Sequence, residues 1–300
     1  MTTAEDVRNT IETALSSKNF DAKNSEIAFF GGSFTAIDRE YMISLLSVAN
    51  EYTDKFYGIR ISTRPDAIDR EVLEILKKYG VTSVELGAQS MDDAVLLSNN
   101  RGHNSESVRE ASELIKQFGF SLGLQMMTGL FGSTDKTDIY TAEEFIKLKP
   151  DTVRIYPTVL LKGTYLEELY RDNIYKPQSV EDAVRLCSKL VCRFEDEDIS
   201  VIRVGLHSSD TLESNIVAGA YHPAFRELCE NQIFFDKIKY ILISEGFKRG
   251  AFTVKVSPTS LSKAIGQKKK NLISFKEMGY ELNFLADPSL TGRQISIQEG

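Results

Sequence analysis

The chain has little of three things that would place it in a special class: cysteine, long apolar runs and excess positive charge. Its three cysteines, Cys187, Cys192 and Cys229, are odd in number and irregularly spaced, which argues against a disulfide framework and favours a reducing, cytoplasmic setting. Apolar runs such as Ser121–Met127 are far shorter than the roughly 20 residues that span a bilayer, so no membrane span or membrane partner is expected.

The charge balance limits the partners. With 43 acidic against 36 basic residues and a net charge of -7, broad electrostatic capture of nucleic acid or of an anionic membrane is not expected. The basic run Lys268–Lys270, with Lys263 nearby, is a local exception. Such a run is either a solvated face or a contact to an RNA backbone, and the sequence leaves both readings open.

Up to about residue 210, short β-branched and aromatic runs alternate with stretches of helical period. The predicted strands are Glu26–Phe30, Tyr57–Ser62, Val81–Leu86, Phe120–Met127, Asp151–Tyr156 and Ile199–Leu206. The predicted helices are Glu5–Ser16, Asp38–Thr53, Asp69–Tyr79, Ser105–Phe118, Asp138–Leu148 and Val180–Glu195. Strand, helix and strand at intervals of about 30 residues indicate right-handed βαβ units, hence an α/β fold with a parallel sheet, either open or closed into a barrel.

Beyond residue 210 the alternation changes. A helix near Ala224–Leu242 and strands at Phe252–Val256, Glu281–Leu285 and Gln294–Ile297 indicate a small α+β appendage. We therefore predict a barrel-like domain over residues 1–210 and an appendage over 211–300. The boundary is soft, because no Pro-rich or Ser-rich linker separates the two.

The predicted strand ends carry the candidate chemistry, because in parallel α/β proteins the site lies at the carboxyl edge of the sheet. The paired glycines Gly31 and Gly32 either let backbone groups approach a ligand closely or simply form a tight turn. Arg64, Arg101 and Arg154 can each hold a carboxylate bidentately, although surface salt bridges are the commoner fate of such residues. Glutamine side chains at Gln89 and Gln125 suit ribose hydroxyls or an adenine edge, or local hydrogen bonds. Met127, Arg154 and Tyr156 stand at the ends of the fourth and fifth strands.

Four segments in order carry a family resemblance: FFGGSFTAI at Phe29–Ile37, STRPDAI at Ser62–Ile68, VELGAQSMDDAVLLSNNRGH at Val84–His103 and RIYPTVLLKGTYLEELY at Arg154–Tyr170. On these the chain resembles the radical S-adenosylmethionine (SAM) superfamily, in the group around the elongator catalytic subunit and oxygen-independent coproporphyrinogen oxidase. The resemblance implies a partial, TIM-like barrel of parallel βα units with SAM across the strand carboxyl ends. The activity it implies is that of an oxidoreductase or transferase, with tRNA modification as one expectation.

The resemblance also implies roles for individual residues. The backbone of Gly31 and Gly32 meets the amino group of SAM, with Ser33 where relatives carry an acidic or hydroxyl residue. Ser62 stands where relatives often have Glu on the ribose, with Arg64 as its neighbour. Gln89 and Arg101 match the residues that hold the ribose and the carboxylate. Gln125 and Met127 flank ribose and adenine, and Tyr156 closes the adenine side.

The resemblance implies one further cofactor, a four-iron four-sulfur cluster held by a Cys-x3-Cys-x2-Cys loop and reduced by a donor such as ferredoxin or flavodoxin. The 300 residues contain no such loop. We therefore expect a SAM-binding body without the first strand and cluster loop, through truncation or a misassigned start, and inactive as given. No catalytic residue and no metal ligand is assigned. The alternative is a non-catalytic module that binds a nucleoside or RNA, and the substrate cannot be identified.

Overall fold

The computed structural model describes residues 2–300 and divides them into two compact units. The first unit runs to Tyr156 and includes Phe194–Ile202; the second comprises Pro157–Arg193 and Arg203–Gly300. This division differs from the boundary at residue 210, because the segment 157–193 groups with the C-terminal part of the chain. The ranges 1–210 and 211–300 therefore remain a prediction about independently folding domains.

The helices and strands alternate as the sequence predicts. The strands are β1 (Glu26–Phe29), β2 (Gly58–Thr63), β3 (Val81–Gln89), β4 (Ser121–Thr128), β5 (Thr152–Pro157), β6 (Val159–Leu161), β7 (Ser200–Val204), β8 (Ile216–Gly219), β9 (Gly250–Val256), β10 (Tyr280–Ala286) and β11 (Ile295–Glu299). The helices are α1 (Ala4–Ser16), α2 (Arg39–Asn50), α3 (Arg70–Lys78), α4 (Asp93–Ser98), α5 (Ser105–Gln117), α6 (Asp135–Leu148), α7 (Tyr165–Arg171), α8 (Val180–Glu195), α9 (Asp210–Asn215), α10 (Phe225–Ser244), α11 (Leu261–Ile265) and α12 (Lys270–Glu277). Among the residues described, no helix is both long and apolar enough to cross a bilayer.

The first unit is built on a six-stranded sheet in the order β1-β2-β3-β4-β5-β7. The strands are parallel and curl into a half-barrel, which decides the alternative that the alternation alone left open. The strand β1 is an edge strand that pairs only with β2. Because the strands are parallel, their carboxyl ends share one edge of the sheet, and the predicted site lies there.

Capping residues and glycines set the limits of the helices on the outer face. Asp69 accepts a hydrogen bond from Val72 N at 2.8 Å and begins α3, and Asn104 accepts one from Ser107 N at 2.9 Å and begins α5. Gly80 follows α3 with a φ of 74°, a backbone conformation in which a side chain is strained. The apolar helix faces contact the apolar face of the sheet. The fully buried residues there include Leu73, Leu76, Ile59, Ile61, Val84, Leu86, Val108, Ile115, Leu122, Leu124 and Phe145.

The second unit contains the predicted α+β elements. Strands β9, β10 and β11 form a sheet in the order β10-β9-β11, with β10 parallel and β11 antiparallel to β9. The long helix α10 packs on this sheet through Phe234, Ile238 and Leu242, which join a buried cluster with Phe252 and Phe275. A separate pair of antiparallel strands, β6 and β8, was not foreseen from the sequence.

Candidate functional site

The inner face of the six-stranded sheet is polar. Along β5 buried residues alternate with half-buried ones, so Val153 and Ile155 point to the helices while Arg154 and Tyr156 point the other way. The strand register places Ser62 beside Glu85, and Glu85 beside Gly123. One row of the sheet therefore carries polar side chains where a closed apolar core would carry Val or Leu.

Glu85 is the centre of this polar face. Its side chain is fully buried and accepts a hydrogen bond from Gln125 Nε2 at 2.9 Å, and the same nitrogen donates to Ser62 Oγ at 3.1 Å. Glu85 also forms an ion pair with Arg154 Nε. Burial, the largest single influence, lowers the pKa of Arg154, but the interactions with Glu85 and Tyr156 together hold that pKa above its usual range. The arrangement therefore favours the charged form of Arg154.

Gly123 makes room for the Glu85 side chain. A Cβ at residue 123 would lie 2.7 Å from Glu85 Cγ and 3.0 Å from Thr152 Oγ1, closer than side chains tolerate. The glycine in the middle of β4 is therefore explained by the carboxylate of the neighbouring strand.

A second ion pair adjoins the first. Arg60 donates to Glu26 from Nε at 2.7 Å and from Nη2 at 3.1 Å, which is the bidentate geometry of a strong charged hydrogen bond. Its remaining nitrogen, Nη1, lies 3.8 Å from Glu85 Oε2, and neither atom has a hydrogen-bond partner among residues 2–300. Buried polar atoms normally have hydrogen-bond partners, so this pair of atoms is an exception within the polar face.

The turn after β1 offers open backbone. Gly31 and Gly32 have φ values of 106° and 67°, which only glycine adopts without strain. No heavy atom lies within 4 Å of the place where a Cβ would stand at either residue. The preceding residue, Phe30, is 51% exposed, and the Arg154 guanidinium lies 4.8 Å from its ring centroid. A ligand can therefore reach the main chain at this turn.

Three charged residues form a group after the second and third strands. Arg64 donates to Asp66 Oδ1 at 2.9 Å in an ion pair near the surface. Arg101 is half-buried, and its pKa is lowered by burial and then by the positive charge of Arg64, while Asp66 opposes this change. In the described part of the chain, the Arg101 guanidinium has no hydrogen bond or ion pair. The Asp66 carboxylate is thus taken by Arg64, which leaves the Arg101 guanidinium available to an acidic group of a ligand.

Gln89, at the carboxyl end of β3, adopts a φ of 68° and is only 9% exposed. The left-handed region is costly for a residue with a side chain, and such strain is concentrated at functional sites. Its Nε2 atom lies 2.9 Å from the place of a Cβ on Gly87, so Gly87 leaves room for it. Within residues 2–300 its amide has no hydrogen-bond partner and is available to a ligand.

The structure brings some of the predicted residues together. Ser62 and Gln125 share one hydrogen-bond network, and Tyr156 contributes to the electrostatic environment of Arg154. Met127 lies two residues after Gln125 on the same strand, and Ser33 follows the open glycine turn. Arg64 and Arg101 form the second group. The assignment of these residues to particular atoms of SAM remains a prediction.

Two features of the site were missed from the sequence. The ion pair of Glu26 with Arg60 joins residues 34 apart in the chain, and no local pattern indicates it. Asp138 on α6 was read only as the start of a helix, but it is buried and accepts a hydrogen bond from Gly129 N at 2.9 Å, which fixes the turn after β4. Burial raises the pKa of Asp138 to about 7. An Asp after a Gly-rich turn is the only sequence feature that points to it.

The residues described do not fit an iron-sulfur cluster. No group of three or more His, Cys, Asp or Glu side chains between residues 2 and 300 is arranged to hold a metal ion. Cys187 on α8 and Cys229 on α10 are buried, and burial raises the pKa of Cys229 to about 12, so it is a protonated thiol at neutral pH. We therefore derive no reaction step through a cluster bound by these residues.

The fold is that of an α/β protein with a half-barrel of parallel strands, and the open glycines, the unpaired guanidinium and the unpaired amide at its carboxyl edge could receive a small molecule that carries a carboxylate. Residues 3–145 match the family model described as the radical SAM superfamily, and residues 150–234 match that of the radical SAM C-terminal domain. The chain belongs to the radical SAM superfamily. Enzymes of this family bind SAM and a four-iron four-sulfur cluster.

Two curated relatives within this superfamily are similar in sequence to the chain. The chain is 30% identical over 188 residues to Elongator complex protein 3 of Homo sapiens, a match that covers 55% of this chain and 34% of the human protein. It is 30% identical over 185 residues to the tRNA uridine(34) acetyltransferase of Methanocaldococcus jannaschii, covering 54% of this chain and 34% of that protein. The chain thus spans about a third of the length of these relatives.

Solved structures agree on the fold. The structure of archaeal Methanocaldococcus infernus Elp3 with an N-terminal deletion matches with a TM-score of 0.64 and 24% identity, covering 82% of this chain and 59% of that one. Streptococcus suis SuiB bound to SAM matches with a TM-score of 0.50 and 16% identity, covering 73% of this chain and 45% of that one. At these identities the likeness concerns the fold alone, and it confirms the predicted partial barrel.

Proposed function

We propose that the chain binds SAM at the carboxyl edge of the six-stranded sheet. The observation that carries this proposal is the half-buried Arg101 guanidinium, which has no partner among residues 2–300 and lies in the field of the Arg64–Asp66 pair. A guanidinium left with uncompensated charge at a strand end suits the carboxylate of an amino-acid ligand. The membership in the radical SAM superfamily names the ligand that has such a carboxylate.

The other parts of the ligand have matching groups. The open backbone of Gly31 and Gly32 suits the amino group, and Gln89, Ser62 and Gln125 supply amide and hydroxyl groups for the ribose. Met127 and Tyr156 supply the adenine side, with Ser33 next to the glycine turn. When bound, SAM supplies a sulfonium group with a polarised carbon–sulfur bond. The protein orients it, and the fixed charges of Glu85 and Arg154 keep the polar face in place.

The reductive chemistry of the family needs thiolate ligands that residues 1–300 do not supply. We therefore infer that the chain as given binds SAM without cleaving it. An electron donor such as ferredoxin or flavodoxin becomes relevant for a protein that also carries the cysteine loop. The related tRNA uridine(34) acetyltransferase makes tRNA the substrate class to test first for such a protein. The cytoplasmic setting remains a prediction from the cysteine usage.

Calorimetric titration with SAM, S-adenosylhomocysteine and adenosine tests the site. Adenosine lacks the carboxylate, so Arg101→Ala should weaken SAM and S-adenosylhomocysteine by about tenfold or more, as expected for a lost charged hydrogen bond, and should leave adenosine unchanged. The control is Arg185→Ala, which removes an exposed guanidinium paired with Asp182 on α8. Equal binding of SAM by wild type and Arg101→Ala would contradict the role of Arg101, and no SAM binding by wild type would contradict the proposal itself.

Anaerobic reconstitution with iron and sulfide tests the inference about cleavage. We expect no stable cluster and no conversion of SAM by the chain of 300 residues. Stoichiometric iron and sulfide in the purified protein would show that the cysteine interpretation is wrong. If neither a cluster nor SAM binding is found while RNA or a nucleoside binds, the alternative of a non-catalytic binding module is the correct one.

A further inference from the structure

The C-terminal unit contains a basic segment in an acidic protein. Residues 246–276 include eight Lys and Arg and no Asp or Glu, whereas the whole chain has a net charge of -7. This segment forms β9, α11 and the greater part of α12. The positive charge is therefore concentrated on one small piece of the fold, which argues for a local polyanionic partner rather than for general attraction.

The fold of this segment is a strand, two helices and a strand. Strand β9 leads into α11, a turn at Gly266–Lys269 joins α11 to α12, and β10 returns parallel to β9. The turn has the sequence Gly-Gln-Lys-Lys. K-homology domains use a G-x-x-G loop to clamp about four nucleotides of single-stranded backbone. Here Lys269 stands in the position of the second glycine of that loop.

The backbone of the turn is fixed by its contacts with the neighbouring helices. Gly266 has a φ of 85°, and a Cβ there would lie 3.0 Å from Asn271 N. The buried Asn271 donates to Ala264 O at 3.1 Å and to Asn231 O at 2.8 Å, and so ties the turn to α11 and α10. Lys269 adopts a φ of 62°, the region that glycine enters without strain. Two successive left-handed lysines indicate a turn fixed by its surroundings.

The lysines of the turn are available to a partner. Lys268, Lys269 and Lys270 are exposed, and in residues 2–300 none of their ammonium groups has an ion pair or a hydrogen bond. Next to them opens a groove of about 690 Å³, to which Gln267, Lys268 and Lys270 contribute. His222 and Phe235 contribute rings and Gln232 an amide to the lining of the groove, while Glu181 and Glu277 also line it. Rings and amides beside a basic turn suit bases that are not paired.

We propose that the turn Gly266–Lys269, with Lys263 and Lys270, binds the backbone of single-stranded RNA. The groove beside the turn then receives bases. This site lies wholly within the second unit and does not depend on SAM binding at the strand ends of the first. A double helix does not offer unpaired bases to the groove, and an acidic peptide offers carboxylates but no bases. The proposal thus distinguishes these partners.

The experiment is fluorescence anisotropy with the full chain and a labelled 12-nucleotide RNA of mixed sequence, against its duplex and the matching single-stranded DNA. The test variant is Lys268→Asp/Lys269→Asp, because Asp tolerates positive φ better than most residues. We expect tighter binding of single-stranded RNA than of duplex, and at least a tenfold loss in the variant. The slope of log K against log salt should fall in magnitude by about 1.4, for two lost phosphate contacts on a single strand.

Two further variants keep the test decisive. Lys268→Asn/Lys269→Asn removes the charges while keeping residues that accept the left-handed region, and should show the same direction of change. Lys237→Glu/Lys239→Glu reverses two exposed charges on α10 and should reduce binding by less than about threefold. All variants should bind SAM as the wild type does, which separates this proposal from the preceding one.

Several outcomes overturn the proposal. These are RNA binding that is insensitive to the turn variants, equal affinity for duplex and single strand, and equal competition by poly-glutamate of matched charge, which would identify a general anion patch. Equal affinity for single-stranded DNA would remove the assignment to RNA. Absence of salt-sensitive binding by the wild type would remove the site altogether.

Discussion

The inner face of the six-stranded sheet and the turn at Gly266–Lys269 both carry basic side chains, but these are paired with carboxylates on the sheet and exposed at the turn. On the sheet, the guanidinium groups of Arg60 and Arg154 lie around the buried carboxylate of Glu85. At the turn, Lys268 and Lys269 lie in solvent with no ion pair among the residues described. The ion pairs on the sheet fix the positions of the side chains, whereas the exposed lysines of the turn are free to pair with a ligand.

The difference has an energetic basis. A buried ion pair stabilises little relative to an apolar pair, but removal of one partner leaves an unsolvated charge and is costly. Exposed lysines contribute little to folding and are screened by salt, but they release counterions when they meet a polyanion. Basic side chains are therefore fixed by carboxylates in the first unit and left exposed to solvent in the second. Arg101 combines both, since it is half-buried and unpaired.

The comparison is tested most strongly by Glu85→Gln. The change keeps the shape of the side chain but leaves the half-buried guanidinium of Arg154 without its counter-charge, so we expect the free energy of unfolding to fall by about 3 kcal/mol or more. Chemical denaturation measures it. The matched control is Glu51→Gln, which breaks the exposed pair with Arg8 and should cost less than about 1 kcal/mol. Similar costs for the two would mean that the sheet face is as well solvated as the lysine turn.

Asp138→Asn tests whether burial raises the pKa of a single carboxyl group in the first unit and so makes the free energy of unfolding depend on pH. The pKa of Asp138 is raised from 3.8 to about 7, chiefly by burial, with the charge of Asp135 adding to it and the bond from Gly129 N opposing it. Because the folded state keeps its proton longer, the stabilisation is full below about pH 4 and is lost as pH rises through 7. The wild type should therefore lose stability relative to Asp138→Asn between these values, by up to about 1.4 kcal/mol per pH unit.

Denaturant titrations at several pH values from 5 to 8 measure this difference. Asp135→Asn, an exposed change on the same helix, removes only the smallest contribution to the raised pKa of Asp138 and should keep most of the pH dependence of the wild type. Parallel profiles of wild type and Asp138→Asn would show that the carboxyl group is ionised in the folded protein throughout this range, and that the turn after β4 is held by a charged acceptor.

The sequence predicts the strands of the six-stranded sheet well because each is a short apolar run and several are followed by a helix with a clear capping residue. The predicted Asp151–Tyr156 and the observed Thr152–Pro157 differ by one residue at each end. Alternation along such strands also predicts that Gln125 and Tyr156 share the inner face. It cannot predict that Glu26 meets Arg60, because the partners are 34 residues apart and their pairing depends on strand register.

The missed features share a physical reason. The left-handed φ of Gln89 is imposed by the end of the sheet, and no propensity of glutamine indicates it. Similarly, the run Lys268–Lys270 reads as a solvated face until the fold places it between two helices after a buried glycine. The local sequence indicates which backbone conformation a residue prefers, whereas the conformations of Gln89 and of the lysine turn depend on contacts with residues far away in the sequence.

The smallest expected effect is the difference in stability between a glycine substitution in the turn and one on an ordinary helix surface. Lys269→Gly relieves a left-handed conformation that costs a side chain about 1 kcal/mol, while glycine adds entropy to the unfolded chain, so we expect the free energy of unfolding to change by less than about 0.5 kcal/mol. Lys237→Gly, within α10 and equally exposed, should cost about 1 kcal/mol. Denaturation of the two variants gives the comparison. An equal cost at both positions would mean that Lys269 is not held left-handed in solution, and the turn would then lack the fixed backbone on which its proposed contact with RNA depends.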